Sequence, residues 1–169
     1  MKRIFVDVNK CLACRSCEIA CAVAHSNSKE LFKAIDEIPA PRYRISLEDV
    51  GGFSVPLQCR HCEAAPCVQV CPTKAITRKK LEEPVMIDGE LCVGCSSCVI
   101  VCPWGIPKLS KDGKAIIKCD LCIERLQDGE EPACVNACPT GALQFKSITE
   151  VTEKVGKNVL ERFLPQIEE

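Results

Sequence analysis

The run Cys92-Val93-Gly94-Cys95-Ser96-Ser97-Cys98-Val99-Ile100-Val101-Cys102-Pro103 decides the fold. Three cysteines follow one another across two-residue gaps, a fourth comes after three residues, and a proline closes the run. Working outward, the arrangement recurs three more times. Cys11, Cys14, Cys17 and Cys21 keep the spacing, with Ala22 where the proline stands elsewhere. Cys59, Cys62, Cys67 and Cys71 widen the middle gap to four residues and end on Pro72. Cys119, Cys122, Cys134 and Cys138 widen it to eleven and end on Pro139. All sixteen cysteines of the 169-residue chain fall into these four groups.

Thiols at this spacing are metal ligands. A [4Fe–4S] cube needs one thiolate on each iron, and a C-x2-C-x2-C loop wraps the cube and supplies three. In the bacterial run C-x2-C-x2-C-x3-C-P the fourth cysteine reaches the other cluster of a pair. Structural zinc prefers two separated C-x2-C pairs. The fourth group taken alone fits zinc, whereas the evenly spaced first and third groups suit a cube. Disulfide-dense chains are small and secreted, and Met1–Lys10 lacks the apolar stretch and cleavage site of a signal peptide. Four [4Fe–4S] clusters are therefore expected.

The displaced fourth cysteine sets the expected pairing. The neighbouring second and third groups share two clusters. One is held by Cys59, Cys62, Cys67 and Cys102, the other by Cys92, Cys95, Cys98 and Cys71. By elimination the first and fourth groups share the remaining two. One is held by Cys11, Cys14, Cys17 and Cys138, the other by Cys119, Cys122, Cys134 and Cys21.

The remaining composition agrees. Five Phe, one Trp, one Tyr and two Met make a thin apolar core, so metal is expected to replace burial as the main cross-link. Lys and Arg number 22 against 23 Asp and Glu, which argues against a nucleic-acid surface. No run is long enough to span a membrane, and the chain is expected to be cytoplasmic. There is no Walker loop, no G-x-G-x-x-G and no spare cysteine. Electron transfer without bond chemistry is the expectation. The competing readings are an enzyme using one labile cluster and a zinc-stabilised interaction module.

Short alternating or β-branched runs precede the groups: Ile4, Val6 and Val8; Tyr43, Ile45 and Leu47 before a Gly51-Gly52 turn; Val85 to Ile87; and Ala115 to Ile117. Each x3-Cys ending is expected in a short helix, stopped by the following proline in three groups. A helix near Lys29–Ile35 and a hairpin after Pro41 fill the excursion between the first two groups. From Ser147 an amphipathic helix is expected, with Ile148, Val151, Val155, Val159, Leu160, Phe163 and Leu164 on one face. Ser147 and Glu150 form its capping box, Gly156 weakens it and Pro165 ends it. The expected fold is α+β, two ferredoxin-like modules with one nested inside the other. Residues 1–50 and 109–146 form the outer module, 51–108 the inner one and 147–169 the C-terminal helix.

The four groups, their order and the long gap in the fourth resemble the four-cluster electron-transfer subunits of the molybdopterin oxidoreductase class. Those include the iron–sulfur subunits of dimethyl sulfoxide reductase, formate dehydrogenase and formate hydrogenlyase. The resemblance covers residues 3 to about 146 and implies the same ligand pairing. Some members carry tryptophan for one cysteine of the third group and hold a [3Fe–4S] cluster; Cys102 is kept here. The stretches CLACRSCEIACAVAHS (11–26) and VPLQCRHCEAAPCVQVCP (55–72) look closest to the branch with the carbon monoxide dehydrogenase-associated iron–sulfur protein and the wiring subunit of tungsten aldehyde oxidoreductases. The resemblance implies anaerobic metabolism, a catalytic oxidoreductase partner and an electron-acceptor protein.

Several flanking residues allow two readings. With every ligand position taken by a thiol, His25 and His61 are expected at the surface or in hydrogen bonds. Trp104 either shields a cluster from water or simply packs. Arg15, Arg60 and Lys118 flank ligands. Positive charge there would raise a cluster's potential, while a solvated surface position is the default. The tail helix either packs on its own domain or serves docking or self-assembly.

Overall fold

A computed structural model describes residues 2–110 and 113–163, with side chains as far as Lys157. The fold is α+β, with small antiparallel sheets between short helices. Strand β1 (Lys2–Val6) pairs with β8 (Leu143–Ser147), Ile4 opposite Phe145. The start of the chain is thereby held against the segment that follows the fourth cysteine group. Inward-facing Ile4 and Leu143 are buried while their neighbours on β1 and β8 are more exposed, the alternation a half-buried strand requires.

Strands β2 (Ser46–Val50) and β3 (Phe53–Leu57) form the hairpin expected after Pro41. Gly51 and Gly52 sit at φ +59° and +83°, and a tight two-residue turn with positive φ at both positions favours glycine. The hairpin carries the chain across the boundary expected at residue 51. Strands β4 (Ile76–Thr77) and β5 (Met86–Ile87) pair between the second and third groups. Strands β6 (Lys108–Leu109) and β7 (Ile116–Ile117) pair between the third and fourth.

The helices are α1 (Ser16–Ala24), α2 (Leu31–Ile35), α3 (Pro66–Gln69), α4 (Ser97–Ile100), α5 (Ile123–Gln127), α6 (Ala133–Asn136) and α7 (Ile148–Phe163). Helix α1 packs against α6, and α3 against α4. One expectation needs correcting. The last cysteine of a group lies inside a helix only in α1, which holds both Cys17 and Cys21. Cys71, Cys102 and Cys138 fall just beyond the ends of α3, α4 and α6. Each of these precedes a proline, whose ring disfavours helical backbone in the residue before it. Where Ala22 replaces the proline, the helix runs on to Ala24.

Burial concentrates in two cores. The first joins Ile4, Ile45, Leu121, Val135 and Leu143 with Cys17, Cys21, Cys119 and Cys134. The second joins Ala65, Ile76, Val85, Ile116 and Cys98, with Cys67, Cys71 and Cys92 packed against it. Gly94, between Cys92 and Cys95, has φ +66°, and a Cβ there would come within 2.9 Å of the Gly113 carbonyl oxygen. The third ligand loop is thereby held against the turn that precedes β7.

The expected capping box is present. The Glu150 N–H donates to Ser147 Oγ at 3.2 Å, and the Ser147 N–H donates to the Glu150 carboxylate at 2.6 Å. Ile148 and Val155 on α7 are exposed. The side chains of Val159, Leu160 and Phe163 on the expected apolar face, and Leu164 and Pro165 altogether, lie outside the described residues. Among the described residues no helix is long and apolar enough to cross a membrane.

Candidate metal centres

All sixteen cysteines are free thiols. Long-range packing gathers them into mixed sets. Cys11, Cys14 and Cys17 line one cavity together with Cys138, which the β1–β8 pairing delivers from the far end of the ligand region. Cys59, Cys62 and Cys67 line another together with Cys102, delivered by the packing of α3 on α4. Cys21 lies within electrostatic reach of Cys119, Cys122 and Cys134. Cys71 lies within reach of Cys95. In the first three cases a cysteine of one group lies beside three of another.

The thiols divide into two kinds. Burial pushes Cys17, Cys98 and Cys122 up to about 11, and Cys119 and Cys134 further still. A free thiolate is costly at these positions, and a bound cation offsets the cost. The Ser16 and Ser97 hydroxyls and N–H groups lower Cys14 and Cys95. Cys71 and Cys138 are also lowered: burial opposes the thiolate, but N–H groups of Ile76 and Leu143 and the hydroxyls of Thr73 and Thr140 outweigh it. The Ser and Thr two residues beyond these cysteines are visible in the sequence, but their role emerges only once the loops are folded.

Backbone N–H groups also converge on sulfur. His61 donates to Cys59 Sγ at 3.4 Å, Leu121 to Cys119 at 3.4 Å, Ile116 to Cys92 at 3.4 Å and Arg44 to Cys21 at 3.2 Å. Sulfur surrounded by N–H donors is the setting in which cluster potentials are tuned.

The flanking side chains separate into distinct roles. His25 Nδ1–H donates to the Cys21 carbonyl at 2.7 Å and Nε2–H to Asp120 at 3.0 Å. Burial disfavours its charge, yet the bond to Asp120 and the contact with the Cys21 sulfur raise it to about 9. Asp120 also accepts from Arg44 and from the Cys122 N–H. Burial favours its neutral form, but the His25 bond and the Arg44 charge hold it well below the usual carboxylate range. His61 is 1 % exposed and accepts the Val85 N–H on Nδ1, so its ring proton sits on Nε2. Burial and the nearby Lys118 and Arg78 charges lower it to about 3. Trp104 is half exposed, lines the cavity of Cys59 and Cys102, and lies under Arg60 at 5.4 Å.

Two residues depart from the sequence reading. Lys118, expected on a solvated surface, is buried. Glu18, not singled out in the sequence, is also buried and joins α1 to β2 by accepting the Leu47 N–H at 2.8 Å and Arg15 at 2.9 Å. The three-residue offset from Arg15 marks a helical ion pair in the sequence. Nothing local reveals the bond to Leu47.

The donor set fits iron–sulfur cubes better than single ions. Thiols on one tetrahedral zinc lie about 3.8 Å apart, given Zn–S bonds of about 2.3 Å. Among the described residues the only ligand trio with donor atoms mutually within 4.8 Å is His25, Asp120 and Cys122. There Arg44 already holds the carboxylate, so that trio is a hydrogen-bonded ion pair rather than a cation site. Among the described residues no cysteine trio closes to that spacing, and two of the sets line shared cavities, Cys59 with Cys102 and Cys11 with Cys138. His61, which lines the cavity of Cys59 and Cys102, keeps a buried Nε2 with no partner among the described residues.

The comparisons with known proteins agree. The 4Fe–4S dicluster domain matches residues 50–148, and a 4Fe–4S binding domain matches residues 8–24. An iron–sulfur protein of Rhodospirillum rubrum is 39 % identical over 84 % of this chain and 80 % of its own length. The electron transport protein HydN of Escherichia coli (strain K12) is 39 % identical over 83 % of this chain and 85 % of its own. The B subunit of the anaerobic dimethyl sulfoxide reductase of the same organism is 32 % identical over 90 % of this chain and 76 % of its own. With every cysteine free within a repeated ligand pattern and such relatives along most of its length, this chain belongs to the 4Fe–4S dicluster family of ferredoxin-like electron-transport proteins.

Proposed function

We propose that this chain relays electrons one at a time through four [4Fe–4S] clusters, between a catalytic oxidoreductase subunit and an acceptor protein. The proposed ligand sets are Cys92, Cys95, Cys98 and Cys71; Cys59, Cys62, Cys67 and Cys102; Cys119, Cys122, Cys134 and Cys21; and Cys11, Cys14, Cys17 and Cys138. Each cube, when bound, accepts and releases a single electron. The protein's part is to hold neighbouring sites close, exclude water and adjust their potentials.

The observation that carries this reading is the order of the thiols. Cys98 interacts electrostatically with Cys67, Cys59 with Cys119, and Cys134 with Cys17. The four sets thus follow one another in a row. Its two ends carry the exposed thiols Cys95 and Cys14. Exposure suits sites that exchange electrons with other proteins, and burial suits those between. The pairing of β1 with β8 and α1 with α6, against β4 with β5 and α3 with α4, supports one ferredoxin-like module nested in another.

Anaerobic iron and sulfide analysis tests the cofactor. About sixteen irons per chain are expected from four cubes of four. A colourless protein with stoichiometric zinc would end the iron–sulfur reading.

The partner is proposed to be a carbon monoxide dehydrogenase, an aldehyde oxidoreductase or a formate dehydrogenase, met in the cytoplasm. Helix α7 is assigned to docking, onto that partner or a second copy. It follows the last ligand and exposes Ile148 and Val155. Deleting residues 148–169 should leave iron content unchanged and reduce the mass of the native complex by size exclusion. Loss of iron, or an unchanged complex, would leave α7 a merely packed helix.

A further inference from the structure

Lys118 is 4 % exposed, and its ammonium donates to two backbone carbonyls, Val85 O and Cys119 O. An ammonium has three donors. Among the described residues, no carboxylate pairs with it. A buried charge without a counter-charge is strongly disfavoured, so buried cations are found paired with anions. The side chain lines the cavity that also presents Cys59, Cys62, Cys67 and Cys102. The missing anion is thus the thiolate set itself. His61, which accepts the Val85 N–H, also lines this cavity, and its buried Nε2–H has no partner among the described residues.

We propose that Lys118 is the fixed counter-cation of the cluster held by Cys59, Cys62, Cys67 and Cys102, and that it raises that site's reduction potential above the value its four thiolates would otherwise give. The inference rests on the ligand assignment proposed above. Reduction adds one electron from the neighbouring site or a donor protein. It transfers no proton and forms or breaks no bond, and the electron leaves to the next site. The reduced site therefore carries one more negative charge than the oxidised one. A buried ammonium stabilises that extra charge with little solvent screening. Lys118 thereby makes an interior site of the row easier to reduce. A purely structural Lys118 would only tie the Val85 backbone to the fourth ligand loop.

Redox-titrated EPR of the anaerobic holoprotein separates the two roles. Cys62→Ser identifies the signal of this site by removing or altering it. Lys118→Met should lower the ratio of reduced to oxidised site at fixed potential about tenfold, a midpoint lower by about 59 mV for one electron. Lys118→Arg, which keeps the charge, should hold the ratio within about threefold, and the other three signals should move less than that. An unchanged midpoint in Lys118→Met with full iron content overturns the proposal, as does an equal shift of all four signals. If Lys118→Met loses this cluster, its retention in Lys118→Arg supports the charge requirement, and its loss in both variants overturns it. A Cys62→Ser protein with all four signals intact refutes the ligand assignment itself, and the proposal with it.

Discussion

Removing the iron from the anaerobic holoprotein should abolish cooperative thermal unfolding and most of the far-ultraviolet circular dichroism. The first core has Cys17, Cys21, Cys119 and Cys134 among its buried members, beside only Ile4, Ile45, Leu121, Val135 and Leu143. The second places Cys67, Cys71, Cys92 and Cys98 around Ala65, Ile76, Val85 and Ile116. Among the described residues every sheet is two-stranded, and β4–β5 and β6–β7 pair over only two residues, too little to stand alone. Structural zinc contributes about 10–16 kcal/mol to the folding of zinc-finger peptides, a scale for a thiolate-held metal, whereas a whole domain is stable by about 5–15 kcal/mol. Loss of even one site is therefore comparable to the total. Circular dichroism and calorimetry before and after anaerobic chelation check this. A cooperative transition retained without iron would show that the apolar residues suffice.

Replacing Cys138 by alanine should abolish or convert the cluster of Cys11, Cys14 and Cys17, despite the separation in sequence. Cys138 lines the same cavity as those three thiols and acts electrostatically on Cys14. Its thiol is held by donors from Thr140, Ala142 and Leu143, the last of which opens β8 opposite Val6 of β1. The strand pairing thus delivers the ligand. Iron should fall by between about one and about four per chain, according to whether a three-iron cluster survives. Redox-resolved EPR should assign the change to the exposed end of the row. Loss confined to the signal of Cys119, Cys122 and Cys134 would break the proposed pairing.

The cofactor chemistry was legible in the sequence because ligand spacing is local. Cys92, Cys95 and Cys98 are spaced so that a few residues of backbone can wrap a small inorganic core, and Cys102 follows at the offset that reaches a neighbouring one. The same holds for the Gly51-Gly52 hairpin and the Ser147–Glu150 cap, which complete their hydrogen bonds within a handful of residues. The helix ends were less legible. The prolines marked them, but the backbone restriction acts on the residue before, so Cys71, Cys102 and Cys138 lie outside their helices. What tertiary structure alone decided is the environment around each thiol. Lys118 reads as an ordinary surface charge beside a ligand, and only the packing of distant segments, Val85 among them, buries it. Glu18 meets the Leu47 N–H, and His61 meets the Val85 N–H, through contacts no local pattern encodes. Spacing marks the thiols that suit iron, because that is a matter of reach along the chain, whereas the thiol that joins Cys11, Cys14 and Cys17 comes from the distant fourth group. Burial and charge at those atoms depend on which distant segments close over them, and therefore on the completed fold.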